Sequence, residues 1–124
     1  VETHDRIVGK TWQEAKRLTV EVYRATNEGV FSKDFALRDQ IRRASVSVMA
    51  NIAEGFGRSS RKEFIHFLNI ANGSALEVQS HLHVALELAY LSREQFESLY
   101  QLAHSVSRLI GGFINYLSRQ PETR

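Results

Sequence analysis

Residues 60–91 read SRKEFIHFLNIANGSALEVQSHLHVALELAYL, and their apolar spacing decides the fold. Phe64, Leu68, Ala71, Ala75, Val78, Leu82, Ala85 and Ala89 follow one another at alternating steps of four and three. Only a helix returns such positions to one side, because 3.6 residues complete a turn. The seam needs roughly 26 residues of helix, about 40 Å at 1.5 Å per residue. Ser60-Arg61-Lys62-Glu63 marks its start as a capping box, in which a hydroxyl and a carboxylate each satisfy an orphan backbone N–H.

Downstream, Ser92-Arg93-Glu94-Gln95 forms a second such box before another seam, Leu99, Ala103, Val106, Ile110, Phe113 and Leu117. Two long amphipathic helices joined by a tight turn lie antiparallel. Upstream, Leu37, Ile41, Ala44, Val48 and Ile52 set a helix that Gly55 and Gly57 stop. Before it, Trp12, Ala15, Leu18 or Thr19, and Val22 share a face that Asn27-Glu28-Gly29 ends. The shorter pair covers the exposed stripe of the longer one. The expected architecture is therefore all-α, an up-down antiparallel four-helix bundle forming a single domain over 1–124, with helices at about 11–26, 35–55, 61–91 and 93–119.

The 124 residues suffice for a self-supporting core. The absence of cysteine removes disulfides, thiolate metal sites and cysteine nucleophiles, and points to a reducing, cytoplasmic setting. No apolar run approaches the roughly 20 residues that cross a bilayer, so no membrane partner is expected. Net charge is only +2, but it is uneven: residues 1–62 carry 12 basic and 8 acidic side chains, and residues 63–124 carry 4 and 6. An anionic partner should meet the first half.

Some apolar residues exceed what a bare bundle needs. Val46, Met49 and Ala53 point away from the core stripe of their helix, while Ile65, Leu76, His83 and Tyr90 form a side stripe about 90° from the seam of theirs. A broad core face would absorb some of these; alignment along a helix also suits contact with sister copies. Val46, Met49, Ala53, Ile65, Leu76 and Tyr90 are the candidates for a homo-oligomer interface. Gly73 and the Gly111-Gly112 pair sit inside helices at about 1 kcal/mol each relative to alanine, which either close approach of another helix or a kink would explain.

Little here suggests catalysis. Glu63 and His66 form one Glu-x-x-His step, but a di-iron bundle site needs two such steps and two further carboxylates. His81 and His83 turn to different faces, and His104 stands one turn before Arg108 on a solvated face. Gly9-Lys10-Thr11 resembles the end of a phosphate loop, yet the required earlier glycine is His4. No serine lies in a nucleophile elbow. We expect no catalytic residue, metal, cofactor or small-molecule substrate.

The basic set remains. Arg38 and Arg42 are one turn apart, Arg43 adjoins them, and Arg58, Arg61 and Lys62 crowd the turn before the third helix. Guanidinium forks suit phosphate, and the first N–H groups of a helix add a positive pole. These six are the candidate nucleic-acid contacts. The competing reading pairs them with Asp39, Glu54 or Glu63 on a solvated surface.

Three blocks carry a family resemblance: Asp39-Gln40-Ile41-Arg42-Arg43-Ala44, Asn51-Ile52-Ala53-Glu54-Gly55-Phe56-Gly57-Arg58, and Glu63-Phe64-Ile65-His66-Phe67-Leu68-Asn69-Ile70-Ala71-Asn72-Gly73-Ser74. Over about residues 10–120 the chain resembles bacterial four-helix-bundle proteins encoded in intervening sequences of large-subunit ribosomal RNA genes, a family related to accessory proteins of diversity-generating retroelements. The resemblance implies a homopentameric ring, binding of RNA or DNA and, in the retroelement branch, association with a reverse transcriptase. Met49 and Ser32 stand where that pattern often has proline. Asn51 and Glu54 are expected to be structural, Asn51 bonding a neighbouring helix and Glu54 holding Arg43, Arg58 or Lys62.

Overall fold

The computed structural model describes residues 2–121 and folds the decisive stretch as α3, Arg61–Glu87. Around it stand α1 (Glu2–Thr26), α2 (Phe35–Phe56) and α4 (Arg93–Ser118), with a short 3-10 turn at Gly29–Lys33 between α1 and α2. No strand occurs among the described residues. Each helix packs against the next in chain order and α4 closes on α1, so the order around the bundle is α1, α2, α3, α4. The most extensive contact is α2 against α3.

The seams fill the centre. Phe64, Leu68, Leu82, Ile110, Phe113 and Leu117 are at most 1% exposed, as are Leu18, Val22, Ile41, Val48 and Ile52. Burying a side chain of this size contributes roughly 1.5–3 kcal/mol. At one pole, rings pack edge-on: Phe64 meets Phe113 at 5.2 Å and Phe56 at 6.2 Å, and His4 stands 5.6 Å from Phe113.

The first helix starts at Glu2, not near Thr11, because Ile7 and Val8 extend the core face toward the pole. Thr11, at the expected start, is polar, and further polar residues lie along the same helix. Thr11, Thr19 and Thr26 are buried, and each hydroxyl donates to the carbonyl four residues back, Ile7, Ala15 and Val22 respectively. Thr19 also reaches the Ser45 carbonyl of α2 at 2.9 Å. Satisfied this way, a hydroxyl stays inside without the cost of an orphaned polar group.

α3 also differs from expectation. It ends at Glu87, so Ala89 leaves the seam: it is exposed and takes a left-handed φ of 61°. The Ala89 N–H donates to the Leu86 carbonyl and the Tyr90 N–H to the Ala85 carbonyl, a Schellman closure with alanine in glycine's usual place. Tyr90 then turns inward. Its ring packs 5.2 Å from Phe31, and its hydroxyl donates to Asp34 Oδ2 at 2.8 Å. Asp34 Oδ1 caps α2 by accepting from the Leu37 N–H. The Tyr90 hydroxyl, and secondarily that N–H, hold the Asp34 carboxyl below its ordinary range; the same bond pushes the Tyr90 phenol up.

The two capping boxes are unequal. Ser92 and Gln95 make both reciprocal bonds. At α3 the Ser60 hydroxyl accepts from the Glu63 N–H, but the Glu63 carboxylate faces that hydroxyl at 3.4 Å. Among the glycines, Gly55 is the crowded one: a Cβ there would lie 2.8 Å from Phe64 Cδ1 and 2.9 Å from Phe67 Cβ. Gly73, Gly111 and Gly112 have open space, so no helix of this chain approaches them, and α4 runs unbroken through its pair.

Candidate nucleic-acid interface

α2 has two seams. Besides its core face, Phe35, Arg38, Arg42, Val46, Met49, Ala53 and Phe56 follow at steps of three and four, within roughly 80° of one another at 100° per residue. This outer strip borders α1. Two of the arginines expected to meet phosphate, Arg38 and Arg42, thus share one face with three of the residues expected to meet sister copies, Val46, Met49 and Ala53. Arginines occupy its beginning, with Val46 and Met49 half-buried and Ala53 exposed beyond them.

The arginines of the strip are held in place. Arg42 donates from Nε to the Thr26 hydroxyl of α1 at 2.8 Å, and its guanidinium lies 4.6 Å from the centre of the Tyr23 ring. Arg38 donates to Asp39 Oδ1 and to the Ser32 carbonyl, each at 3.0 Å, and lies 4.7 Å from the centre of the Phe35 ring. Arg43 is exposed, with no hydrogen bond or ion pair among the described residues. Asp39 therefore offsets the charge of Arg38, while Arg42 and Arg43 keep theirs.

Arg58, Arg61 and Lys62 form a separate group. Arg58 lies sixteen residues beyond Arg42 in sequence, roughly 24 Å at helical rise. It pairs with Glu54 at 2.6 Å and stacks 4.8 Å from the centre of the Phe67 ring. Arg61 donates to the carbonyls of Gln120 and Pro121, tying the end of α4 to the start of α3. Lys62 is exposed. The structure therefore does not join the six cations into one patch: Arg58 and Arg61 serve the fold, Arg38 and Arg42 share the strip, and Arg43 is exposed about 100° around α2 from Arg42.

The family-like block has local causes. Asn51 donates to the carbonyl and hydroxyl of Ser47 in its own helix, not to a neighbour, and the Ser74 hydroxyl of α3 completes the link to Ser47 at 2.8 Å. Gly55 is required by the close α2–α3 contact.

Of the other interface candidates, Ile65 and Met49 pack partly on the core, Tyr90 is engaged with Asp34, and Leu76 is 53% exposed. His83 leans on Phe96 and Tyr100 at 5.1 and 5.2 Å, and His81 stands 3.3 Å from Glu77. Among the described residues no three His, Cys, Asp or Glu side chains group as metal ligands. No helix among them is long and apolar enough to cross a membrane. The cleft between the end of α1 and the start of α4 carries Glu21, Glu28 and Glu94 with Arg24, a poor setting for phosphate. Sequence reasoning missed Tyr23 and Phe35; the step from Phe35 to Arg38 was a signal, but Tyr23 lies on another helix.

Residues 9–112 match the family model described as 23S rRNA-intervening sequence protein. The chain is also similar to a crystal structure of a protein of unknown function from the S23 ribosomal protein family of Bacteroides thetaiotaomicron, at 27% identity and a TM-score of 0.82, over 88% of this chain and 98% of that one. Neither description names a reaction. No curated protein matches.

Proposed function

Because the chain belongs to the 23S rRNA-intervening sequence protein family, we propose that it is a non-enzymatic bundle that assembles with copies of itself, as a pentamer, and binds RNA through backbone phosphates. The outer strip of α2 carries this reading. Its first half offers Arg42, oriented by Thr26 and Tyr23, while Arg43 lies open to solvent on the adjoining face. Prior orientation lowers the entropy that binding must lose. Its second half, Val46, Met49 and Ala53 with the 47% exposed Phe56, offers apolar surface to a sister copy. A ring would repeat the cationic half, and multiplicity would strengthen contacts that are weak singly.

Light scattering for mass and RNA binding across a salt series test this. Log affinity for single-stranded RNA should fall with log salt by about 0.7 per phosphate engaged, and Arg42→Ala with Arg43→Ala should shrink the slope by about 1.4. Arg58 and Arg61 are unsuited to this test, since their removal would loosen the fold. No binding at low salt removes the RNA reading, and a monomeric mass removes the assembly reading. A second reading, a scaffold for another protein such as a reverse transcriptase, draws on the exposed Ile70, Leu76, Val84 and Leu88 of α3 and its end. Retained capture of such a partner by Arg42→Ala, Arg43→Ala protein without RNA affinity would favour it.

A further inference from the structure

We infer that the α1–α2 face takes single-stranded RNA in preference to duplex, with unpaired bases stacking on Tyr23 and Phe35; this rests on the RNA reading above.

The two rings are on the surface, Phe35 at 63% and Tyr23 at 42% exposure. Large aromatic side chains dominate cores when buried, so two that remain open, each against one of two arginines a helical turn apart, call for an occupant. Each already carries a guanidinium on its face, Arg38 on Phe35 and Arg42 on Tyr23. Arg38 and Arg42 are themselves one helical turn apart, neighbours at about 5–6 Å between Cβ atoms. The four side chains therefore make a row of ring, guanidinium, guanidinium and ring across the seam between α1 and α2. The Tyr23 hydroxyl has no hydrogen bond among the described residues, so none of them claims that ring's polar end.

The chemistry of the row selects its occupant. Planar guanidinium groups and aromatic rings both present π faces on which a base can lie, whatever its identity. In a duplex those faces are stacked on one another and closed to a protein; in a single strand they are open. Arg43, exposed about 100° around α2 from Arg42, supplies a cation for phosphates flanking the stacked bases. A protein partner covering the same place would have to bring carboxylates to Arg42 and Arg43, because Asp39 is already engaged by Arg38.

The test uses labelled oligoadenylate and its duplex with oligouridylate against the full chain, with Tyr23→Leu and Phe35→Leu variants that keep apolar bulk and remove the π face. The expected result is tighter binding of the single strand, about a tenfold loss for each ring replaced, and an unchanged salt slope. Melting temperature and light-scattering mass should stay at wild-type values. Equal binding of both RNAs, indifferent to the ring variants, would overturn the stacking inference and leave the phosphate reading standing. Binding of neither RNA at low salt would overturn both. A change of mass in the ring variants would show that these rings bury against a sister copy, which also overturns the inference.

Discussion

The two poles of the bundle are closed by different forces. Where α2 turns into α3, closure is steric: Gly55 lets α3 approach until Phe64 and Phe67 fill the space a side chain would need, and aromatic edges meet behind it. At the opposite pole closure is polar. The α3–α4 turn reaches across to the α1–α2 connection through Tyr90, whose ring meets Phe31 and whose hydroxyl bonds Asp34, and its backbone bends through a left-handed alanine. The difference teaches that one pole is sensitive to volume and the other to protonation and backbone preference.

Gly55→Leu should give the largest effect. Two of the three close atoms are Phe67 Cβ and the Phe64 carbonyl, fixed to the backbone, so relief requires a helix shift. A loss of about 3 kcal/mol, the upper range for overpacking, should appear in denaturant unfolding. Gly73→Ala, with open space above it, should be neutral or slightly stabilising in the same assay; equal losses at both glycines would erase the contrast.

At the polar pole Ala89→Gly should stabilise by about 0.5–1 kcal/mol, since glycine enters the left-handed region without the alanine penalty. A destabilisation there would mean that the turn owes its shape to something other than its hydrogen bonds.

The smallest effect, and the sharpest in form, concerns Tyr90→Phe. The Asp34 carboxyl sits below its ordinary value near 3.8, so its contribution exists above that pH and is lost as pH falls through the lowered value. The Tyr90 phenol sits above its ordinary value near 10.0, so its contribution exists below that pH and is lost as pH rises through the raised value. The gap in melting temperature between wild type and variant should therefore be widest between these limits and close at both ends. A gap independent of pH would break the assignment of this pole to a polar contact.

The sequence made the four helices legible because heptad-like burial leaves a periodic trace, and Ser92 with Gln95 announced a start that the structure completes. It concealed the first turns of α1, where His4 and Thr11 occupy inward positions that look polar in a hydropathy pattern. It carried the α3 seam too far, since no glycine or proline marks the stop and Ala89 continues the apolar rhythm. In the candidate interface the residue types were legible and their partners were not. Local pairs such as Arg38 with Asp39 and Arg58 with Glu54 follow from proximity along the chain. Arg42 with Thr26, Arg42 with Tyr23, and Arg61 with the carbonyls ending α4 join segments that only the fold brings together.

An even number of antiparallel rods sends the first and last described turns out through the same pole, where Arg61 fastens the end of α4. Tyr23 and Phe35 stand at the other pole, about 30 Å away along α1. A fluorophore, affinity handle or solid support attached beside His4 or Gln120 would thus hold the molecule with its arginine–aromatic row facing outward.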